Sequence, residues 1–126
     1  MTFETLIRAA RQRINLRPVG KAGEAGAVAA ALETEAGNLY TGVNIDVPCS
    51  MGFCAEHAAI AAMVTAGESR IVRLVAVHHS GRVIPPCGRC REFVCQIDEG
   101  NGACQVLLDG GRVVTISDLL PERWDA

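Results

Sequence analysis

The chain has 126 residues, of which 49% are hydrophobic and 21% charged, a composition that fits one globular domain with its own core. Its 12 basic and 14 acidic residues give a net charge of −2, which argues against nucleic acid as the default partner. An acid-free basic stretch near the N-terminus is interpreted as the solvated face of a helix: Arg8, Arg11, Arg13, Arg17 and Lys21. The sequence pattern contains neither a secretory signal nor an apolar run of membrane-spanning length, so we expect a cytoplasmic protein with no membrane partner.

The predicted elements begin with a helix and a hairpin. Apolar residues at helical spacing predict an amphipathic helix over 3–16, ended by a region that contains proline and glycine. Two strands are predicted over 27–34 and 39–47, because the segment EAGN between them is typical of a hairpin turn. An alanine-rich stretch over 55–66 is apolar almost all round and predicts a helix buried in the interior.

The second half of the chain repeats the alternation of strand and helix. The valine-rich segment 70–79 predicts a central strand, and 85–98 predicts a loop that leads into a helix. Two further strands are predicted over 104–109 and 112–116, and a serine cap predicts a short turn or helix over 117–124. This order predicts an α/β sandwich built on a five-stranded sheet.

Cysteines are the most informative residues of the sequence. Thiols stay reduced in the cytoplasm, so the cysteines are interpreted as metal ligands, catalytic groups or small core residues. The six are Cys49, Cys54, Cys87, Cys90, Cys95 and Cys104. Cys87 and Cys90 stand at the start of one predicted helix, and Cys54 stands at the start of another. Because a helix N-terminus lowers the pKa of a nearby thiol, these three can converge as thiolates on a metal ion.

Two kinds of metal site fit three thiolates. A closed structural zinc site requires a fourth ligand, and Cys49 is near enough to Cys54 in sequence to approach the metal. A catalytic site leaves the fourth position to water. Glu56 favours the catalytic interpretation, because a carboxylate two residues from a ligand can take a proton from bound water, although the helix dipole favours glutamate in the first turn of any helix.

These residues carry a family resemblance. CAE at 54–56 with PCGRC at 86–90 resembles the zinc signature of the cytidine deaminase superfamily. TGVNID at 41–46 is similar to the TGxNxE segment of small tetrameric cytidine deaminases, LLPERW at 119–124 is similar to their C-terminus, and PCGRCRE resembles a motif of blasticidin S deaminase. The resemblance implies a three-layer α/β sandwich with a mixed five-stranded sheet and helices on both faces, forming a single zinc-dependent deaminase domain over 1–126.

The resemblance also implies roles for single residues. Cys54, Cys87 and Cys90 would hold one Zn²⁺ per chain, whose activated water attacks C4 of a cytosine ring while Glu56 transfers protons. The positions that match the family's substrate contacts are Asn44, Asp46, Ala55, Pro85 and Trp124. Of these, the first two match the ribose-binding pair, with aspartate in place of glutamate, and the last matches an aromatic residue that closes over the base.

The sequence departs from the family's pattern at two places. Cytidine deaminases carry an arginine directly after CAE, which offsets the negative charge of three thiolates on zinc, and this chain has His57 there. Arg89, inside PCGRC, is the alternative counter-charge that could donate to the thiolates, as in blasticidin S deaminase. The phenylalanine that stacks on the pyrimidine in small cytidine deaminases aligns near Gly26, so we expect that contact to be absent or supplied from elsewhere.

The function implied is hydrolysis of cytidine or deoxycytidine to the uracil nucleoside and ammonia, in pyrimidine salvage, by a cytoplasmic homotetramer. Deamination of a modified nucleoside such as blasticidin S is the nearest alternative, and an enzyme acting on RNA or DNA is a third. From other classes of protein, a non-catalytic zinc module and a thiol redox protein also fit a cluster of cysteines.

Overall fold

The computed structural model describes residues 1–125, in which four α-helices surround one mixed sheet. The helices are α1 Phe3–Arg11, α2 Ala55–Thr65, α3 Gly88–Ile97 and α4 Ile116–Leu119. The strands are β1 Arg17–Val19, β2 Gly23–Thr34, β3 Leu39–Asp46, β4 Ile71–His78, β5 Val83–Ile84, β6 Gln105–Leu107 and β7 Val113–Thr115. Over these 125 residues, no helix has both the length and the apolar character needed to cross a membrane.

The sheet is centred on β2 and β4. β2 pairs antiparallel with β3 along one edge and with β4 along the other, β4 pairs parallel with β6, and β6 pairs antiparallel with β7. The five strands in these pairings, β2, β3, β4, β6 and β7, correspond to the five predicted strands. Two short strands were not predicted: β1 extends the sheet beside β2, and β5 pairs with β4, giving seven strands within the described residues. They have three and two residues, too few for an alternating pattern to reveal them.

Side chains alternate between the two faces of the sheet and build a separate core on each face. Ala29 and Ala31 of β2 pack with Leu6 of α1, whereas Ala30 and Leu32 pack with residues of α2 and α3. The predicted three-layer arrangement, with helices on both faces of a mixed sheet, is therefore confirmed.

Helix α1 is shorter than the predicted 3–16, because the chain turns into the sheet soon after Arg11. The backbone N–H of Asn15 donates to the Gly26 carbonyl at 3.0 Å, which ties this segment to β2. Gly26 has φ +80°, and a Cβ there would collide with the carbonyl oxygen of Asn15. The segment 14–16 is therefore held against β2 and cannot extend the helix.

Helix α2 lies very close to β3, and this contact positions the first turn of the helix. A Cβ on Gly42 would collide with the backbone nitrogen of Ala59, so only glycine permits this approach. The helix starts after Cys54 and ends before Gly67, whose φ of +93° is the left-handed conformation typical of a helix stop.

A buried asparagine joins α3 to β4. Asn101 is fully buried and its Oδ1 accepts the Ile71 N–H at 2.8 Å. Its Nδ2 donates to the carbonyls of Ser69 and Val94, both at 3.0 Å. One side chain thus satisfies three backbone groups from three segments, which fixes the C-terminal end of α3 against the sheet.

Replacing Asn101 by Ala should therefore lower the free energy of unfolding by about 3 kcal/mol, because it leaves buried backbone groups without partners. The measurement is urea unfolding at equal metal content. Asn15→Ala is the matched control, since the side chain of Asn15 is exposed, and it should change stability by less than about 0.5 kcal/mol. Equal unfolding midpoints for the two variants would contradict this role of Asn101.

Candidate active site

Three cysteine sulfurs meet where α2 and α3 begin. Cys54 and Cys87 are the residues that precede the first turns of the two helices, and Cys90 lies in the first turn of α3. The Sγ atoms of Cys54 and Cys87 are 3.4 Å apart, those of Cys87 and Cys90 are 3.5 Å apart, and all three lie within 4.8 Å of one another. The structure therefore brings together the three cysteines that the sequence singled out.

The spacing of these sulfurs fits a metal ion. Zinc bound tetrahedrally by thiolates holds sulfurs about 3.8 Å apart, since each Zn–S bond is about 2.3 Å long. Cys49 lies outside this group: it is exposed, with φ of 64°, on a 3₁₀ turn over Pro48–Ser50. Among the described residues, the group thus offers three protein ligands, the number found at catalytic zinc sites and one fewer than a closed structural site requires.

The three thiols differ in acidity. Burial raises the pKa of Cys54 and, further, that of Cys90. Burial also acts on Cys87, but hydrogen bonds from the backbone N–H groups of Cys90 and Arg89 and from the neighbouring thiols lower its pKa on balance. A metal ion that binds here as a thiolate complex must therefore displace protons from the buried thiols.

Arg91 fixes the loop that carries Cys87. Its Nε donates to the Pro86 carbonyl at 2.8 Å and its Nη1 donates to the Leu119 carbonyl at 3.1 Å. The guanidinium thus joins the residue before Cys87 to the end of α4. Sequence reasoning did not identify this role, because the two carbonyls come together only in the folded chain.

Glu56 lies beside the cysteines in the first turn of α2. The residue is 4% exposed, and burial raises the pKa of its carboxyl group, only partly offset by its own backbone N–H. A carboxyl group in this position can act as a general base and then as a general acid toward a molecule bound beside it. The structure thus places a group suited to proton transfer next to a group of potential metal ligands.

A cavity of about 360 Å³ opens over this cluster. Of the predicted residues, its lining includes Asn44, Asp46, Cys54, Ala55, Glu56, Pro85, Cys87 and Arg89. This size is within the range of small-molecule sites. Residues predicted to bind metal, to transfer protons and to bind substrate therefore share one cavity.

Asn44 is oriented by the backbone of the neighbouring strand. Its Oδ1 accepts the N–H of Val28 at 2.9 Å, which fixes the amide plane and leaves the NH₂ group as the available donor. Asp46 lies two residues further along β3, on the same side of the strand, and is exposed. The pair therefore offers the cavity one oriented amide donor and one carboxylate acceptor.

Phe53 is a lining residue that sequence reasoning missed. Its backbone exchanges two hydrogen bonds with Ile45, at 2.9 and 3.0 Å, which hold the loop before α2 against β3. A Cβ on Gly52 would collide with the Ile45 carbonyl, so glycine allows this close pairing. Gly26, near which the family's stacking phenylalanine aligns, packs against the backbone of Asn15, and Phe53 is the aromatic residue in the lining. The pair GF directly before CAE was the available sequence signal.

Two predicted residues are placed differently from the expectation. Trp124 is 83% exposed and lies outside the lining of its own chain's cavity, while its backbone N–H donates to Glu92 Oε1 at 3.1 Å. Arg89 lines the cavity and its backbone N–H bonds to Cys87, but within residues 1–125 its guanidinium makes no hydrogen bond to the three sulfurs. The imidazole that approaches a sulfur is that of His57, whose Nδ1 lies 3.3 Å from Cys90 Sγ.

Comparisons with known proteins agree with this geometry. No family model matches the chain. A cytidine deaminase of Mycobacterium tuberculosis is 35% identical over 100 residues, covering 78% of this chain and 72% of that protein. A blasticidin-S deaminase of Bacillus cereus is 33% identical over 109 residues, covering 77% of this chain and 76% of that protein. The crystal structure of cytidine deaminase from Mycobacterium leprae superposes with a TM-score of 0.81 at 29% identity, covering 97% of this chain and 99% of that one. The chain therefore belongs to the cytidine deaminase family.

Proposed function

We propose that the protein is a zinc-dependent hydrolase of free cytosine nucleosides, which converts cytidine or deoxycytidine to uridine or deoxyuridine and ammonia. The observation that carries this proposal is the presence of Cys54, Cys87, Glu56 and Asn44 in the lining of one cavity. The identity to named cytidine deaminases supports the same reaction.

Cys54, Cys87 and Cys90 would hold the metal. A zinc ion at this position supplies Lewis-acid activation of the attacking water. Glu56 accepts a proton from that water as its oxygen adds to C4 of the ring, and delivers the proton to N3. The second proton passes from the new hydroxyl group through Glu56 to the exocyclic amine, so that the C4–N bond breaks and ammonia leaves. The carboxyl group lines the cavity beside Cys54 and Cys87, which places it to carry both protons, and burial raises its pKa.

Backbone groups next to the cluster are suited to hold the base. The Ala55 N–H is in the first turn of α2, where N–H groups have no partner within the helix. The Pro85 carbonyl is an acceptor, since proline lacks only the donor of a backbone unit. Both residues line the cavity, beside Cys54 and Glu56. These groups would fix the ring so that C4 faces the water.

Asn44 would donate its NH₂ group to a ribose hydroxyl. Asn44→Ala should lower kcat/KM for cytidine about tenfold, the worth of one hydrogen bond in a partly buried site, mainly through KM. It should lower kcat/KM for 2′,3′-dideoxycytidine much less, because that nucleoside lacks the ring hydroxyls. Asn38→Ala is the matched control, as Asn38 is exposed and bonds to Glu68. Equal losses on both substrates would assign Asn44 a structural role only.

A second candidate function is deamination of blasticidin S. The blasticidin-S deaminase of Bacillus cereus covers as much of this chain as the cytidine deaminases do, and Arg89 in the cavity lining adds a cation near the substrate. Cytosine nucleosides are favoured because the cavity also contains the oriented Asn44.

A panel of amine-bearing nucleosides, assayed for ammonia release, tests the proposal. Cytidine and deoxycytidine should have the highest kcat/KM, above those of blasticidin S, free cytosine and adenosine. Turnover of blasticidin S without turnover of cytidine would reject the first function in favour of the second. Absence of turnover on every nucleoside, by protein that contains zinc, would favour a non-catalytic zinc module.

We also propose that the deaminase is a single domain over 1–126 and forms a homotetramer that acts in the cytoplasm in pyrimidine salvage. The exposure of Trp124 is relevant to the assembly, because this side chain can cover a base only if the C-terminal segment moves or a neighbouring chain's cavity lies beside it. Sedimentation equilibrium should give four chains per particle, and a monomer that is fully active would contradict this part of the proposal.

A further inference from the structure

His57 contacts one of the three potential metal ligands directly. Its Nδ1 lies 3.3 Å from the Sγ of Cys90, within hydrogen-bonding distance for sulfur. The contact joins the first turn of α2 to the first turn of α3, and Cys90 is fully buried. Water therefore does not compete for this sulfur, and the protein itself has to supply any hydrogen bond to it.

The ring of His57 is held in one orientation by an aromatic neighbour. The imidazole stacks on Phe93 with the ring centroids 4.2 Å apart and the planes inclined by 6°. Phe93 is one helical turn after Cys90, so both residues present the same side of α3 to His57. Stacking fixes the plane of the imidazole, and with it the direction of the bond from Nδ1 toward the sulfur.

The contact with Cys90 determines which ring nitrogen of His57 carries a proton. A thiolate 3.3 Å from Nδ1 attracts an N–H group and repels a nitrogen lone pair. The tautomer consistent with a thiolate at Cys90 therefore carries its proton on Nδ1.

We propose that His57 is a positioning residue that donates Nδ1–H to the Cys90 thiolate when the metal is bound, with Phe93 holding the ring in place. The inference rests on the metal site of the proposed function. The hydrogen bond stabilises the thiolate and fixes its lone pairs relative to the metal. In this chain an imidazole donor thus occupies the position where cytidine deaminases carry arginine, and Arg89 lines the cavity.

Metal binding and the spectrum of the cobalt-substituted protein test this inference. His57→Phe keeps a ring that can stack on Phe93 but removes the donor, whereas His57→Asn keeps an amide N–H near the position of Nδ1. In competition with a chromophoric chelator, His57→Phe should bind zinc about 10- to 100-fold more weakly than the wild-type protein. His57→Asn should recover most of the difference.

The cobalt spectrum distinguishes a hydrogen bond from a packing effect. Removing a donor from a thiolate raises the energy of its lone pairs, so the sulfur-to-cobalt charge-transfer band of His57→Phe should move to longer wavelength. His57→Asn should restore the wild-type band. Phe93→Leu is the control for packing: it disturbs the stack but keeps the imidazole, so its band should move less than that of His57→Phe.

Unchanged zinc affinity and an unchanged band in His57→Phe would overturn the inference, and so would equal shifts in the phenylalanine and asparagine variants. Neither measurement uses deaminase activity. If the band of His57→Phe shifts but the wild-type protein deaminates no nucleoside, the proposed function is rejected and this inference stands. If the wild-type protein is active but the band of His57→Phe does not shift, this inference is rejected and the proposed function stands.

Discussion

Glu56→Ala should lower kcat for cytidine by about 10⁴-fold, near the upper end of what general acid and base catalysis contributes. The carboxyl group is buried beside the cysteines and lines the cavity, so the proposed mechanism assigns the transfer of both protons to it. The variant should retain the fold and about one zinc per chain, because Glu56 is not among the metal ligands. Ammonia release and metal content, measured on the same preparation, check both parts.

Two further variants make this result specific. Glu56→Gln keeps the size of the side chain and removes only its ability to carry protons, so its kcat should fall to a similar extent. Glu4→Ala removes an exposed carboxylate on α1 and should leave kcat unchanged. Deaminase activity that survives in Glu56→Ala would contradict the assignment of this residue as the catalytic acid and base.

Cys90→Ser should remove the metal and, with it, all deaminase activity. The Cys90 sulfur is fully buried and lies 3.5 Å from that of Cys87, so its loss leaves only two thiolates to hold an ion. Because metal binding contributes to the free energy of folding, the thermal unfolding midpoint should fall as well. We expect less than about 0.1 zinc per chain after dialysis against a weak chelator, compared with about one for the wild-type protein.

Two other cysteines provide the controls for this substitution. Cys95 lies on the same helix and is buried but stands outside the group of three, so Cys95→Ser should retain the metal. Cys49→Ser is the sharper test, since Cys49 was the residue that could complete a four-thiolate site. This variant should also retain the metal, because Cys49 is exposed and stands apart from the group. Loss of zinc from Cys49→Ser would indicate a closed structural site.

Local sequence was sufficient to predict the main elements of the fold. The turn composition between β2 and β3, the valine content of β4 and the apolar character of α2 are local features, and the structure contains all five predicted strands. The start of β2 at Gly23, before the predicted 27, depends on pairing with β1 and β3 and on a register shift between Ala25 and Ala29. The pairing of strands in the folded sheet sets such a boundary, and no local sequence pattern predicts it.

The candidate site was predictable where it depends on spacing along one helix or strand. Cys87 and Cys90 share the first turn of α3, and Asn44 and Asp46 share one side of β3. Contacts between distant segments were not predictable in this way. The approach of His57 to Cys90 requires the packing of α2 against α3 to be known.

For Trp124, the sequence predicted a role without predicting the position of the side chain. The motif LLPERW predicted that this tryptophan covers a base, but it did not predict where the side chain lies in the folded chain. A sequence motif gives the role of a side chain in the family and does not say which cavity the side chain reaches. In the folded chain, Arg123 anchors the terminal segment by donating to the Cys95 carbonyl at 3.1 Å, while the indole stays exposed. The C-terminal segment is therefore fixed through its backbone and its arginine, and the tryptophan is left free.

The central claim is that one metal ion, held by Cys54, Cys87 and Cys90, makes this cavity a cytidine deaminase site. The most direct test is to strip the purified protein with a chelator, add zinc back in steps, and follow uridine formation from cytidine at each step. Activity should vanish in the stripped protein and return in proportion to bound zinc, reaching its maximum at one zinc per chain. Uridine formation by metal-free protein, or none by fully loaded protein, would contradict the claim.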